Sequence, residues 1–224
     1  MTPPAIVRTA RERGLDLIAV CDHNTAGNAG AAQAAAEAAG RSIAVLAGME
    51  IATAEDIHVL GLFPDVGEAA AAGAEIRGGL PEDRGGRSGE QWILDRDGRL
   101  AGRETAMLAA SSGLSLAAAL AMIRRHRGLA IASHVDRPSF SVLSQLGVWP
   151  ADAAFDAIEI SMAGLAGGKE REFEALGLPM VTSSDSHFLS DIGNCRTLLQ
   201  MARPEFAELI RALGRPLERR RSDE

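Results

Sequence analysis

The sequence predicts an α/β fold with a mostly parallel sheet or barrel, on three observations. Short apolar runs rich in β-branched residues recur at Leu15–Cys21, Ile43–Ala47, His58–Phe63, Leu129–Ser133, Ala157–Met162 and Met180–Ser183. Runs of this length read as buried strands. Helical stretches alternate with them, and alternating β and α units build parallel sheets. Imidazoles and carboxylates collect where these runs begin or end, and α/β folds keep their chemistry at strand ends.

The elements follow in order. Pro3 and Pro4 open a helix that runs to Arg13 and stops at Gly14, because proline suits the first helical turn and glycine the turn past the end. The Leu15–Cys21 strand comes next. Thr25–Ala39 is alanine-rich and helical, closed by Gly40, since alanine has the best helix propensity. Ile43–Ala47 and His58–Phe63 are the second and third strands, and Gly61 suggests a bend or bulge in the latter.

Residues 64–113 change character. The alanines at 69–74 read as helix. Gly, Arg and Asp then dominate 77–103, as in Arg77-Gly78-Gly79 and Arg84-Gly85-Gly86-Arg87. Gln91–Leu94 followed by Asp97-Gly98 predicts a small hairpin. The region is expected to form an insert or flap within a single domain of 1–224, because long irregular stretches in compact domains are usually functional or disordered. The α/β rhythm then resumes. Leu116–Arg127 is a helix with Ser115 as N-cap, and Leu129–Ser133 a strand. Phe140–Leu146 is a short helix capped by Ser139, and Ala157–Met162 a strand. Lys169–Leu176 is helix, Met180–Ser183 strand, Thr197–Met201 a last strand and Pro204–Leu213 a last helix. The charged tail Glu218–Glu224 is expected to fray.

Composition narrows the function classes. The chain has 224 residues, 46% apolar and 24% charged, with a net charge of −7. No basic face stands out, so tight nonspecific nucleic-acid binding is not expected. No apolar run approaches the length of a membrane span. Cys21 and Cys195 are the only cysteines and read as reduced thiols in a cytoplasmic protein, Cys21 as a packing residue.

Four of the five histidines flank strands: His23, His58, His134 and His187. Glu50 lies near His58 along the chain, and Asp185 precedes His187 by two residues. In extended chain such a pair projects to one side. Nitrogen and oxygen ligands of this kind suit Zn²⁺, Mn²⁺ or Fe²⁺. A lone histidine at a strand end is ordinarily a cap or a surface residue; four with carboxylates nearby point to a shared metal site. His126, within Arg124-Arg125-His126-Arg127, complements a helix C-terminus and receives no catalytic role. Arg137 is either a phosphate ligand, its fork matching phosphate oxygens, or a surface arginine ahead of Pro138.

Taken together the segments resemble the PHP (polymerase and histidinol phosphatase) family. Leu17–Thr25, with Cys21-Asp22-His23, resembles its second motif. Gly48-Met49-Glu50-Ile51 with His58–Leu62 resembles its third, Ser133–Pro138 its fourth, and Ser184-Asp185-Ser186-His187 its last. The set keeps family order, and Gln91 through Ser144 looks most like the stand-alone phosphoesterases. The resemblance implies a distorted barrel of seven β/α units, up to three divalent cations, and phosphoester hydrolysis, making the chain a hydrolase. It implies that Glu50, His58 and His134 form one metal site. His23 and His187 are two ligands of a second, and Glu50 and Asp185 serve a third.

One departure is large: the family opens on a strand carrying a His-x-His pair, and no histidine precedes His23. Met1–Val7 resembles the start of the family's first helix. Either the start is assigned to an internal Met or the barrel is incomplete, with fewer cations than three. An uncovered strand edge could then aggregate or pair two copies. The expected activity is hydrolysis of a small phosphorylated metabolite or nucleotide. Asp185 and His187 would handle protons, Arg137 would hold the phosphate, and the 64–113 insert would select the substrate. Two other readings stand. One is a non-catalytic domain that binds a phosphorylated ligand or a partner. The other is a metal-dependent amidohydrolase, which commonly uses a carboxylated lysine; the only lysine, Lys169, lies away from the motif strands.

Overall fold

The computed structural model describes residues 1–41, 43–84 and 89–214. The glycines of Arg84–Arg87 and the tail Glu218–Glu224 lie outside the described residues. The described residues form eight strands: β1 Leu17–Val20, β2 Ala44–Ala52, β3 His58–Phe63, β4 Trp92–Leu94, β5 Leu100–Arg103, β6 Leu129–Ala132, β7 Ala157–Glu159 and β8 Met180–Val181. The α-helices are α1 Pro3–Glu12, α2 Ala29–Ala38, α3 Val66–Arg77, α4 Leu116–Arg125, α5 Val142–Leu146, α6 Met162–Ala166, α7 Glu170–Phe173 and α8 Phe206–Ala212.

Six strands form one curled half-barrel sheet in the order β1-β2-β3-β6-β7-β8, and β4 and β5 form a separate hairpin. The sheet is mostly parallel, as expected, with β3 the one reversed strand. The pairs β1–β2, β6–β7 and β7–β8 are parallel, whereas β3 runs antiparallel to both β2 and β6. The reason is local. Only Thr53–Ile57 join β2 to β3, with Thr53 N–H donating to Ile57 O at 2.9 Å, and so short a link permits only a hairpin.

Side-chain alternation divides the sheet into two faces. Ala47, Met49, Ile51, Val59, Phe63, Ala130, Ala132, Ile158 and Ile160 pack in the main core. Helices α3 and α4 cover them through Ala69, Ala72, Ile76, Ala119, Leu120 and Ile123. Each fully buried large side chain here contributes roughly 1.5–3 kcal/mol. The other face carries Leu46, Leu62, Leu129, Ile131 and Ala157, closed by Phe206 and Leu209 of α8 and by Leu213 just past its end. Along this second face the residues turn from apolar to polar toward one end: Leu46, Gly48, Glu50 on β2, and Leu62, Leu60, His58 on the antiparallel β3. Gly48 is closely enclosed there: a Cβ would stand 2.6 Å from Cys21 Sγ, 2.8 Å from Leu62 Cδ2 and 3.0 Å from the Gly61 backbone O.

Several expectations shift. Gly61 marks no bulge, since the β2–β3 and β3–β6 registers pass through it unbroken; a Cβ would instead crowd the Phe63 ring at 3.2 Å. The 140–146 helix begins at Val142, capped by Ser141 and not Ser139. The Ala157–Met162 run leaves the sheet after Glu159 because Ser161 caps α6. Residues 197–201 form no strand. Thr197 Oγ1 instead accepts from Thr182 N–H and donates to Thr182 O. Side-chain bonding satisfies that backbone where a ladder was expected. Within 64–113, α3 is a core helix with Asp65 as N-cap, and the β4–β5 hairpin is as expected.

Candidate metal centre

The polar end of the inner face gathers Glu50, His58 and His134. One ligand atom from each lies within 4.8 Å of the others. Glu50 Oε1 is 3.2 Å from His58 Nδ1 and 3.6 Å from His134 Nε2, while Glu50 Oε2 is 3.3 Å from His23 Nδ1. One carboxylate is thus ringed by three imidazoles. Burial alone would raise the Glu50 carboxyl. Hydrogen bonds from His134 and His58 and the charges of His58 and His23 outweigh it and hold Glu50 well below the usual carboxylate range.

Asn24 fixes the geometry of this corner. It is buried with a left-handed backbone. Its N–H donates to Glu50 O at 2.8 Å, its Oδ1 accepts from Ala52 N–H at 3.0 Å, and its amide donates to Leu108 O and Ala110 O. His23 and Glu50, joined by a bridge past the β1–β2 pairing, are therefore locked to each other and to the 106–112 loop.

The second half of the predicted site is arranged differently. His23 and His187 approach, with ring centroids 6.1 Å apart. The strand geometry expected for Asp185 and His187 is not found, because β8 ends at Val181 and Asp185 is left-handed. Arg137 Nη1 holds Asp185 Oδ2 at 2.7 Å, and His187 is 61% exposed with Nδ1 on the Asp185 backbone O at 3.1 Å. Asp185 and His187 are outside the Glu50 cluster. Arg137 and Asp185 occupy each other.

Glu159, which sequence reasoning missed, ties the halves together. Its side chain is buried at the end of β7. One oxygen accepts from His134 N–H at 3.1 Å and the other from the Ser183 hydroxyl. Burial raises its carboxyl above the usual range despite these bonds. A carboxylate inside Ala157-Ile158-Glu159-Ile160, otherwise apolar, was the available signal. Burial also raises the Cys21 thiol, with Glu50, Asp22 and Glu159 adding to it, in keeping with a packing role. His126 lies far from the cluster, between Glu68 and Glu75.

Two imidazole nitrogens and a carboxylate suit a divalent cation of the Zn²⁺, Mn²⁺ or Fe²⁺ kind. Two buried polar atoms at the end of β6, Ser133 Oγ and His134 Nδ1, have no hydrogen-bond partner among the described residues. Unpaired buried polar atoms are uncommon away from functional sites. The residues present fit a metal ion.

Comparison with known proteins agrees with this architecture. Residues 170–215 match the family model described as PHP-associated. No curated protein matches the sequence significantly. A Bifidobacterium adolescentis protein named a candidate metal-dependent phosphoesterase superposes with a TM-score of 0.62 at 18% identity, over 97% of this chain and 92% of its own. The lesion-specific endonuclease EndoQ of Pyrococcus furiosus gives 0.62 at 14%, over 95% of this chain but 51% of its own, so the chain spans about half its length. An amidohydrolase from Chromobacterium violaceum, solved with sulfate and no metal, gives 0.58 at 22%, over 95% of this chain and 92% of its own. At these identities the likeness is one of fold. Among the described residues no helix is long and apolar enough to cross a membrane. The match over residues 170–215 and the shared half-barrel agree with the resemblance that the ordered motifs carry.

Proposed function

We propose that this chain is a metal-dependent phosphoesterase acting on a small phosphorylated metabolite or nucleotide. The convergence of Glu50, His58 and His134 within 4.8 Å carries the reading. A cation held there would polarise a phosphoryl oxygen and lower the pKa of bound water. The chain's own residues do the rest. Glu50 and the imidazoles orient the ion, and His23 and His187 flank it. Arg137, 39% exposed, exchanges Asp185 for the incoming phosphate dianion, whose oxygens its fork can grip at two points. Asp185, so released, and His187 then serve the leaving group's proton. Lys169 donates to the Asp136 backbone O, so its amine is engaged on a carbonyl, which disfavours a carbamate-bridged amidohydrolase. The free thiols of Cys21 and Cys195 and the net charge of −7 support a cytoplasmic protein acting on small substrates.

The test is phosphate release by the purified chain loaded with Mn²⁺ or Zn²⁺, over a panel of nucleotides and sugar phosphates, beside Glu50→Gln and His134→Ala. Release that needs the metal and is lost in both variants is the expected result. Metal bound at Glu50 with no release from any ester would support the second reading, a ligand-binding domain without turnover. The Arg137–Asp185 pair, which engages both groups with each other, favours that reading.

A further inference from the structure

Phe140 is held in an unusual way beside the candidate metal centre. Its backbone is left-handed, with φ +57, a conformation bulky L residues rarely adopt and one that clusters at ligand clamps. Hydrogen bonds on both sides of the residue enforce it. His58 N–H donates to Phe140 O at 2.9 Å. The neighbouring Ser141 is buried and its hydroxyl donates to Arg137 O at 2.8 Å. Ser141 and Ser144 also close a capping box at the start of α5. The outcome is a ring lying flat on His58, centroids 4.7 Å apart and planes 16° from parallel.

One face of the ring is covered by the imidazole, yet Phe140 remains 46% exposed, so the other face is open. Among the described residues Trp92 and Phe188 are also exposed aromatics, but neither stacks on a site histidine. The loop that carries Phe140 also carries Arg137. A guanidinium suited to a phosphate and a bare aromatic face therefore stand three residues apart on one rigid loop. A ring needed only to shield His58 would not require an open outer face.

We infer that the outer face of Phe140 is a stacking platform for a planar heterocycle, which makes the substrate class a nucleotide in preference to an open-chain or simple sugar phosphate. This inference rests on the phosphoesterase reading of the same site. Arg137 takes the charged end and Phe140 the flat end. Aromatic stacking tolerates any base, so the platform selects for a base without selecting which one.

The experiment compares the affinities of adenosine 5′-monophosphate and ribose 5-phosphate by calorimetry for the Mn²⁺-loaded parent, Phe140→Leu and Phe140→Trp, with metal content measured for each. The parent should bind the nucleotide roughly tenfold or more tightly than the sugar phosphate. Phe140→Leu should bring that ratio toward one at full metal content, and Phe140→Trp should keep it. Equal affinities in the parent, or a ratio unchanged in Phe140→Leu, would overturn the platform. So would loss of metal from both variants, which would make the ring a support for His58. Phosphate release separates the two proposals. Discrimination through Phe140 without release of phosphate would sink the hydrolase reading alone. Release from both esters at equal rates and affinities would sink the platform alone.

Discussion

Glu50 and His58 meet diagonally across an antiparallel pair. Glu50 opposes Leu60 and His58 opposes Ala52, yet Glu50 Oε1 and His58 Nδ1 are 3.2 Å apart. All four positions share one face, and long side chains bridge such a diagonal. The carboxylate is thereby the common partner of every imidazole in the cluster. A metal bound at about a hundred times its dissociation constant stabilises the folded state by roughly 2.7 kcal/mol. For a chain of this size that is a rise of several degrees in Tm. Glu50→Gln should abolish the rise produced by Mn²⁺ or Zn²⁺ in a thermal scan. A full rise at unchanged metal stoichiometry would remove Glu50 from the site.

Glu159 should act on the metal without touching it. Its carboxylate fixes the backbone N–H of His134, whose φ of +30 is itself unusual. Groups that orient a metal ligand typically matter by 10–100-fold in affinity. Glu159→Ala leaves the His134 N–H buried and unpaired, at a cost of about 1–3 kcal/mol. We expect urea unfolding to show that loss, and metal titration to show weaker binding at full stoichiometry. Unchanged affinity together with lowered stability would make the contact purely structural.

On the far side of the fold, His126 is clasped by two carboxylates from α3: Nδ1 is 3.0 Å from Glu68 and Nε2 is 2.7 Å from Glu75. Arg127 pairs with Glu68 and faces Asp65, and Arg125 pairs with Glu75. Burial lowers the His126 pKa, but the two carboxylates outweigh it and raise it above 6.5. The carboxyls of Glu68 and Glu75 are held below 4.5, chiefly by Arg127 and His126 respectively. A raised histidine contributes fully below its unfolded value and loses that contribution as pH climbs through the folded one; the lowered carboxyls contribute above their unfolded value and fail as pH falls through the folded one. The clasp is therefore strongest between about pH 4.5 and 6.5. Denaturation midpoints at about pH 6 and 8.5 should differ less for His126→Gln than for the parent. Parallel profiles would show that the clasp does not hold the native state.

The motif strands were legible because each is short, apolar and ends in a ligating residue. Leu129–Ala132 before His134 shows this, and so does His58–Phe63, whose limits the structure reproduces. The direction of β3 was not legible. Orientation depends on the five-residue link from Thr53 to Ile57, and nothing in an apolar run marks which way it points. Asp185 and His187 were misplaced for a related reason. The two-residue rule holds only in extended chain, and the left-handed Asp185 lies beyond the strand. Glu159 and Asn24 escaped notice because their work is hydrogen bonding to distant backbone, such as Asn24 to Leu108 and Ala110. Such partners have no local signature.

The short β2–β3 hairpin also sets an order of assembly. Contacts that close small loops form sooner than those that must wait for a long crossover. Glu50 and His58 are joined through Thr53–Ile57, whereas His134 arrives only after α3, the β4–β5 hairpin and α4 have been laid down. During refolding the carboxylate and the first imidazole should be side by side while the third ligand is still solvent-borne. Pulse-labelled amides of Ile51 and Val59, which oppose each other across the hairpin, should accordingly gain protection before that of Val135, whose N–H waits for Glu159 O. Such a half-formed chelate could capture a cation early, and metal added at the start of refolding should then accelerate it.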